Sequence, residues 1–454
     1  MLFEELPPFD LRGWPAEAIA DPYPVYLRYR ARSPVHHVPG LPGEPDTYYV
    51  FGYDEVVQVL TSPRFGRSAD AANTEPPVAS SASSGCPTAP RPADRHETLR
   101  TMLRNWLVFL DPPRHTTLRA LLSKEFTPRI VLGLRERMQE IARELLAEMR
   151  RKEVVDLVAE FTAPFPVMVI CELLGVERRH CDWLRELSVQ LQEASSSRAG
   201  SGTDGLVRAD AAARQLVEFF RDHARRRHGG DAEDLVSLLV RAGEQGEPLT
   251  DDEIAATCVH LLTAGHETTT HALAKSALAL LDRPDTLAEL CTAEQLLPGA
   301  VQELVRFDPP VQAVSRWAYQ EEALGGHRIR RGAKIVLMLG SANRDARHFP
   351  HPDVLDVHRP PDRHLGFGLG IHFCLGAALA RTEVETGLAA LLEFLPGASP
   401  TGPGVRYTDD LVFHGPAELW LDTGARPGNR AGVRLGVRSN SVRPDVTGGA
   451  RPSG

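Results

Sequence analysis

Three features are scarce in this 454-residue sequence: paired cysteines, long apolar runs and an excess of basic charge. The six cysteines show no CxxC spacing, which argues against a disulfide framework and a structural zinc site. The net charge of −9 argues against nucleic acid as the main partner. The first residues lack the basic start and apolar core of a signal peptide, and no run reaches the length of a membrane span. We therefore expect a cytoplasmic protein that binds neither membrane nor nucleic acid.

The composition is that of an ordinary globular protein, with 42% hydrophobic and 24% charged residues. Length alone allows two or three domains, but no linker divides the chain before its end. Residues 68–97 are rich in Ser, Ala and Pro and predict a mobile loop, while residues 425–454 are rich in Arg, Gly and Pro and predict a disordered tail. We predict that residues 1–424 form one domain.

The most informative stretch is residues 364–381, HLGFGLGIHFCLGAALAR, where three alternating glycines precede Cys374. The glycines permit tight turns, and helical spacing of apolar residues begins at Leu375. A thiol at the mouth of a helix receives N–H donors and a lowered pKa, as a metal-binding thiolate requires. A dinucleotide-binding motif does not fit because Phe373 replaces its third glycine, and covalent c-type haem attachment needs a second cysteine.

A second informative stretch is a long apolar segment with polar residues at its centre. Thr250 and Glu253 predict a capping box, and Pro284 ends the pattern, which gives a helix of about 32 residues and about 48 Å. Apolar residues cover nearly every face, so the helix must be buried. The central HETTTH is not a zinc motif, because His266 and His271 are five residues apart and cannot converge on one metal.

Two further charged pairs are weak indicators on their own. In PGAVQELVRFDPP, Glu303 and Arg306 lie on one face of a short predicted helix, and in DPPRHTTLR, His115 and Arg119 are four residues apart. Pairs at these spacings are commonly solvated surface features. The two pairs help to identify the protein only when their order along the chain is considered together with the two stretches described above.

Together these segments resemble the cytochrome P450 family of haem-thiolate monooxygenases over roughly residues 15–422. The resemblance implies a mainly α fold with a small β-rich lobe and a b-type haem between the long helix and the cysteine loop. Cys374 is then the axial thiolate ligand of the iron. The other residues that the resemblance assigns to haem binding are His115, Arg119, Ala264, Gly265, Thr269, Arg316, Phe367, Gly368, His372 and Gly376.

The resemblance also assigns roles beyond the haem. In AGHETT, Thr268 and Glu267 deliver protons during oxygen activation, with a buried threonine cluster and a satisfied glutamate as the alternative. A structural network is implied for Glu303, Arg306 and Arg359. The implied substrate-pocket residues are Val311, Val314, Leu411, Val412 and Phe413.

The function that the resemblance implies is insertion of one atom of O2 into a small organic substrate by hydroxylation, epoxidation or oxidative ring closure. Electrons come from a separate ferredoxin and ferredoxin reductase, because no flavin or iron–sulfur segment is fused to the chain. By analogy, the substrate belongs to natural-product biosynthesis. Two alternatives stay open: a haem protein that binds a ligand without turnover, and an oxidase that acts on a substrate carried by a carrier protein.

Overall fold

The computed structural model describes residues 6–73, 96–124, 126–192, 203–232, 234–244 and 249–424. Most of the predicted loop at 68–97 and all of the predicted tail at 425–454 lie outside these residues, so both remain predictions, as does the domain boundary at 424. Within the described ranges, no helix is both long and apolar enough to cross a membrane.

Helices dominate the described chain, as predicted. In the N-terminal half they are α1 Ala16–Ala20, α2 Tyr23–Arg32, α3 Tyr53–Thr61, α4 Ala69–Asn73, α5 Glu97–Arg104, α6 Arg114–Ser123, α7 Pro128–Gly133, α8 Arg135–Met149, α9 Pro164–Leu173, α10 Cys181–Gln192 and α11 Thr203–Arg225. In the C-terminal half they are α12 Leu235–Glu244, α13 Asp251–Leu281, α14 Pro284–Thr292, α15 Leu297–Phe307, α16 Leu339–Ala342 and α17 Ala377–Leu392. A π-helical turn covers Val158–Thr162, and short 3₁₀ turns cover Leu107–Phe109, Arg178–His180, Glu294–Leu296, Gly370–His372 and Leu395–Gly397.

The strands form one larger sheet and two small ones. Their bounds are β1 Val35–Val38, β2 Thr47–Val50, β3 Phe65–Gly66, β4 Val154–Asp156, β5 Ala313–Ala318, β6 Glu322–Leu324, β7 His327–Ile329, β8 Lys334–Met338, β9 Ser399–Tyr407 and β10 Pro416–Asp422. The larger sheet has the order β1-β2-β8-β5-β3, with only the β2/β8 pair parallel. The others are β4-β10-β9 and β6-β7, both antiparallel.

One strand pairing differs from the prediction. The alternation in residues 327–340 predicts a hairpin that turns at Arg331 and Gly332, but β7 pairs with β6, and β8 lies between β2 and β5. The turn falls instead at Gly325 and Gly326, whose φ angles of 52° and 82° favour glycine. The predicted hairpin is therefore wrong, although residues 334–338 do form a strand.

The long helix α13 has the predicted start and nearly the predicted length. The Thr250 hydroxyl accepts a hydrogen bond from the Glu253 N–H at 3.2 Å, and the Glu253 carboxylate accepts one from the Thr250 N–H at 2.9 Å. The helix runs for 31 residues, is buried over most of its length and packs against α9, α11 and α17. It ends at Leu281, and Pro284 begins α14, so one helix crosses the helical core from end to end.

The short helix α3 begins two residues earlier than an N-cap at Asp54 would place it. Asp54 fits an N-cap by type, but the N-cap position is held by Gly52, and Asp54 lies in the first turn. A carboxylate there still interacts favourably with the helix dipole.

Candidate active site

The loop before α17 presents Cys374 at the end of a chain of tight turns. Gly368 and Gly370 have φ angles of 68° and 73°, in the left-handed region that glycine adopts without strain. The Phe373 N–H donates to the Gly370 carbonyl at 3.0 Å, and the Cys374 N–H donates to the Phe367 carbonyl at 2.9 Å. The glycines thus give the backbone the curvature that the sequence predicts.

Opposing effects act on the pKa of the Cys374 thiol. Burial raises its pKa, and this outweighs the Gly376 N–H and the guanidinium groups of Arg119 and Arg381, all of which favour the thiolate. The predicted lowering of this pKa is therefore wrong for the protein on its own, because α17 begins only at Ala377 and the surrounding protein desolvates the partly exposed Cys374. The predicted N–H donor and nearby positive charge are nevertheless present.

A cluster of cationic and imidazole side chains lies beside this loop. The His115 and His372 ring centroids are 4.4 Å apart, and the Arg119 Nη2 donates to the Phe373 carbonyl at 2.8 Å. Arg316 is only 6% exposed and donates to the Ser315 carbonyl at 2.8 Å. The structure therefore brings together four of the residues that the resemblance assigns to haem binding.

Arg67 is a fifth member of this cluster, and sequence reasoning missed it. Its Nε donates to the Val108 carbonyl at 2.7 Å, and its Nη1 donates to the Ser315 carbonyl. Its charge also lowers the pKa of Arg316 and His372, which places it close to both. Nothing in the sequence near Arg67 indicates this role, because the contact with Ser315 spans 248 positions.

The electrostatics of the cluster favour an anionic ligand. Burial lowers the pKa of Arg316 to about 9 and of Arg67 to about 10, and burial beside these cations lowers the pKa of His372 to about 2. The buried Nε2 atoms of His115 and His372 have no hydrogen-bond partner within the described part of the chain. Buried polar atoms are normally satisfied, so an acceptor group belongs here.

The middle of α13 contains a patch that is open although the helix around it is buried. Ala264 is exposed and Gly265 and Thr268 are partly exposed, whereas His266 and Glu267 are buried. The Thr268 hydroxyl donates to the Ala264 carbonyl at 2.8 Å, which is a bond to the preceding turn of the same helix. A helix face with almost no side chains therefore borders open space.

Glu267 and Thr269 point away from this patch into the helical core. A Glu267 carboxylate oxygen lies 3.6 Å from His271 Nε2. The Thr269 hydroxyl donates to Glu383 of α17 at 3.1 Å, and burial raises the pKa of Glu383 to about 8. The Thr269 hydroxyl thus joins two helices, and the sequence analysis did not identify Glu383.

The predicted structural network is formed as expected. Glu303 accepts hydrogen bonds from Arg306 at 2.7 and 2.8 Å and from Arg359 Nε at 3.1 Å. Arg306 also donates to the Asn343 carbonyl at 2.8 Å, and the Asn343 side chain accepts from the Leu365 N–H at 2.6 Å. Asn343, which sequence reasoning missed, therefore connects the network to the start of the cysteine loop.

The two predicted pocket segments meet in space. Val311 and Phe413 form an antiparallel bridge, and the Gln312 N–H donates to the Val412 carbonyl at 2.9 Å. Val311, Val412 and Phe413 are partly exposed, as is Val314. Leu411 is buried, so it is placed in the core rather than at a free surface.

These residues fit a haem. Cys374 offers a sulfur ligand, the cationic cluster with its two orphaned imidazole nitrogens suits the haem carboxylates, and the open patch on α13 offers a flat face. At Gly265, an added Cβ would lie 3.6 Å from the Ile170 side chain of α9, so the missing side chain lets α9 pack closely on α13. The exposed Ala264 and the partly exposed Thr268 leave room for a planar group on this part of the helix.

Comparison with known proteins identifies the family. The sequence profile described as Cytochrome P450 matches residues 203–395. The cytochrome P450 monooxygenase PikC of Streptomyces venezuelae is 36% identical over 443 residues, which cover 95% of this chain and 97% of PikC. The chain belongs to the cytochrome P450 family.

Further relatives of this P450 agree with that assignment. The mycinamicin IV hydroxylase/epoxidase of Micromonospora griseorubida is 35% identical over 87% of this chain and 94% of the relative. A crystal structure of P450BioI in complex with an acyl carrier protein carrying hexadec-9Z-enoic acid superposes with a TM-score of 0.79 at 29% identity, and covers 90% of this chain and 99% of that one. The predicted P450 fold is confirmed, and this P450 is a monooxygenase.

Proposed function

We propose that this P450 inserts one atom of O2 into a small natural-product scaffold, as a tailoring hydroxylation, epoxidation or oxidative ring closure. Relatives similar over nearly the whole chain support this proposal, since one is named as a hydroxylase/epoxidase of mycinamicin. The observation that carries it is the juxtaposition of Cys374 with the cationic cluster, together with the open patch on α13.

The proposed cofactor is a b-type haem with a cysteine thiolate ligand, which when bound supplies the activation of O2. Cys374 provides the ligand sulfur, and the Gly376 N–H with Arg119 and Arg381 balances its negative charge. The haem carboxylates are bound by the cluster, in which Arg67 joins the predicted members. Its members are Arg67, His115, Arg119, Arg316 and His372.

Protons for the reaction are proposed to pass through the middle of α13. Thr268 is the hydroxyl-bearing residue at the open patch, and its bond to the Ala264 carbonyl holds the hydroxyl in one orientation. Glu267 is buried one residue earlier with its carboxylate against His271, and it replaces the proton that Thr268 gives up after its side chain turns toward the patch. The pocket that orients the substrate is proposed to include the meeting segments 311–314 and 411–413.

Electrons are proposed to come from a ferredoxin and a ferredoxin reductase that oxidises NADPH. The direct test combines these two proteins with the P450, a panel of polyketide, peptide and terpene scaffolds, and ¹⁸O2. We expect one labelled oxygen atom in an organic product, and a Thr268→Ala variant that consumes NADPH with less product. Oxygen consumption with no labelled organic product from any scaffold would contradict the proposal.

A second candidate concerns how the substrate is presented. The superposition with P450BioI in complex with an acyl carrier protein favours a substrate tethered to a carrier protein. The same assay separates the two forms when each scaffold acid is offered free and as its carrier-protein thioester. Faster turnover of the tethered form supports this candidate, and equal or faster turnover of the free acid contradicts it.

A further inference from the structure

Two thiols outside the haem site lie in contact with each other. Cys171 is near the end of α9 and Cys181 is the first residue of α10. They are 1% and 3% exposed, they line the same small cavity, and their side chains are close enough to interact. The other described cysteines have no thiol partner of this kind: Cys258, Cys291 and Cys374.

The surroundings make the two sulfurs chemically different. The interaction with Cys171 and the charge of Arg178 lower the pKa of Cys181, against burial and the nearby carboxylates of Asp182 and Glu172. The same interaction, together with burial, raises the pKa of Cys171. A position at the N-terminus of a twelve-residue helix further favours negative charge on Cys181. The helix N-terminus and the nearby charge of Arg178 therefore make Cys181 the more nucleophilic thiol.

Both sulfurs line a small cavity that reaches the protein surface. Its volume is about 10 Å³, close to the space that one water molecule occupies. Arg137 and Arg178 also line it, and their side chains are 37% and 50% exposed. Both arginines are held in place by carboxylates, Arg137 by Glu172 at 2.8 Å and Arg178 by Glu144. A small neutral oxidant can reach the thiols here, whereas a bulky one cannot.

We propose that Cys171 and Cys181 form a peroxide-sensitive dithiol, which hydrogen peroxide oxidises to an intramolecular disulfide between α9 and α10. Hydrogen peroxide is the two-electron reduction product of O2, which is a substrate of the proposed reaction, so the choice of this oxidant rests on the proposed function. In a reducing compartment such a bond is transient, as redox-sensing disulfides are.

The chemistry balances in two steps. The Cys181 thiolate attacks one oxygen of hydrogen peroxide, so an S–O bond forms, the O–O bond breaks, and hydroxide leaves and takes up a proton to become water. The Cys171 sulfur then attacks the Cys181 sulfur, so the S–S bond forms, the S–O bond breaks, and the Cys171 proton leaves with hydroxide as a second water. Two thiols are oxidised by two electrons, and one peroxide is reduced to two waters.

The position of the dithiol connects it to the helix that carries the open patch. Ile170, next to Cys171, is the residue nearest to Gly265, at 3.6 Å from the position of an added Cβ. A disulfide ties the end of α9, which packs on α13, to the start of α10. Oxidation therefore restricts opening of the segment between residues 164 and 192.

The test uses the haem-loaded protein with Cys86 and Cys291 replaced by serine. After treatment with a few equivalents of hydrogen peroxide, thiols are blocked with N-ethylmaleimide and the protein is digested with trypsin without reduction. The two cysteines fall on different peptides, residues 153–178 and 180–185. We expect these two peptides to be linked, with the loss of two hydrogen atoms, and to separate on treatment with dithiothreitol. Amide hydrogen exchange of residues 164–192 should slow in the oxidised protein and recover on reduction.

Single variants assign the order of events and control for failure to fold. The Cys171→Ser variant should accumulate a sulfenic acid at Cys181, which dimedone traps. In the Cys181→Ser variant, Cys171 should be oxidised at least about tenfold more slowly than Cys181 is in the wild type, because the thiolate is the attacking species. Cys258, which is buried alone in α13, serves as the internal control and should stay reduced.

The proposal is overturned if residues 171 and 181 remain fully labelled by N-ethylmaleimide at peroxide doses that leave the haem spectrum intact, or if Cys258 oxidises as fast as Cys181. An unchanged exchange rate in a protein that carries the disulfide overturns the proposed restriction of α9 and α10.

Discussion

Arg316 shows most clearly what a single residue contributes to the haem site. It is a nearly buried cation whose guanidinium group donates to the Ser315 carbonyl, and the charge of Arg67 repels it. Burial of an unpaired charge is costly, and the carboxylate of Asp111 offsets this cost only in part, because the pKa of Arg316 is still lowered to about 9. The haem carboxylates supply the remaining counter-charge in the proposed holoenzyme.

We therefore predict that Arg316→Gln weakens haem retention. A hydrogen bond to a charged group is worth about 1.5–3 kcal/mol, so haem should be lost roughly ten to a hundred times faster. The rate is measured by transfer of haem to an excess of apomyoglobin. Arg151→Gln is a suitable control, because Arg151 is exposed and pairs with Glu148 at the protein surface. Equal rates of haem loss from the Arg316 and Arg151 variants would contradict the assignment.

Glu303 is expected to act on folding rather than on catalysis. It is 4% exposed and accepts hydrogen bonds from two arginines, of which Arg306 is 2% exposed. Glu303→Gln leaves both cations without a counter-charge, and breaking a buried pair in this way costs about 3–5 kcal/mol. We expect a lower midpoint in urea denaturation, whereas Glu148→Gln on the surface should leave the midpoint unchanged. A Glu303 variant with normal stability would show that the network is dispensable.

Among the elements, α13 has the most demanding packing, because its central patch must stay free of side chains. Gly265→Leu adds a side chain there, and leucine favours the helix more than glycine does. We predict that the helical circular dichroism is retained while haem incorporation falls at least about tenfold, since overpacking costs about 1–3 kcal/mol. Ala147→Leu on the exposed face of α8 is the matched control. Full haem incorporation in the Gly265 variant would show that no group lies against this patch.

Elements that depend on local signals could be predicted from the sequence. Thr250 and Glu253 determine the start of α13 through bonds between neighbours, and the glycines before Cys374 determine their own turns. The partners of β7 and β8 could not be predicted, because an alternating pattern indicates which face of a strand is apolar but not which other strand it pairs with. The pKa of Cys374 was predicted in the wrong direction for a similar reason, since desolvation of the sulfur depends on the whole fold.

The candidate site was predictable only where a residue belongs to a motif. Cys374, His115 and Arg119 were identified from their sequence context, and the structure brings them together. Arg67 and Asn343 carry no local signal, because their partners lie far along the chain. Long-range contacts of this kind become visible only in the folded molecule.

At the scale of the whole molecule, buried neutral histidines make stability depend on pH. Burial lowers the pKa of His260 and of His266 to about 4, and burial together with Lys275 lowers that of His414 to about 3. The unfolded chain takes up these protons near pH 6.5, before the folded protein does. Stability is therefore greatest above about pH 6.5 and falls as the pH drops toward 4, by up to roughly 1.4 kcal/mol per pH unit for each histidine.

This prediction is tested by urea denaturation of the holoenzyme between pH 7.5 and 5. His260→Phe should flatten the dependence, because phenylalanine keeps the stacking on Trp106, whose ring centroid is 4.9 Å from that of His260, and takes up no proton. His358→Gln, at an exposed position, should leave the slope unchanged. An identical slope in the wild type and the His260 variant would exclude His260 as a source of the acid sensitivity.

Ligation of a haem iron by the sulfur of Cys374 underlies every role proposed for this site, and carbon monoxide difference spectroscopy of the reduced protein detects that bond. We expect the strongly red-shifted Soret band of thiolate ligation in the wild type and in Cys291→Ala, and its loss in Cys374→Ala. A wild-type protein that binds haem without this band, or a Cys374→Ala variant that keeps it, would exclude Cys374 as the ligand.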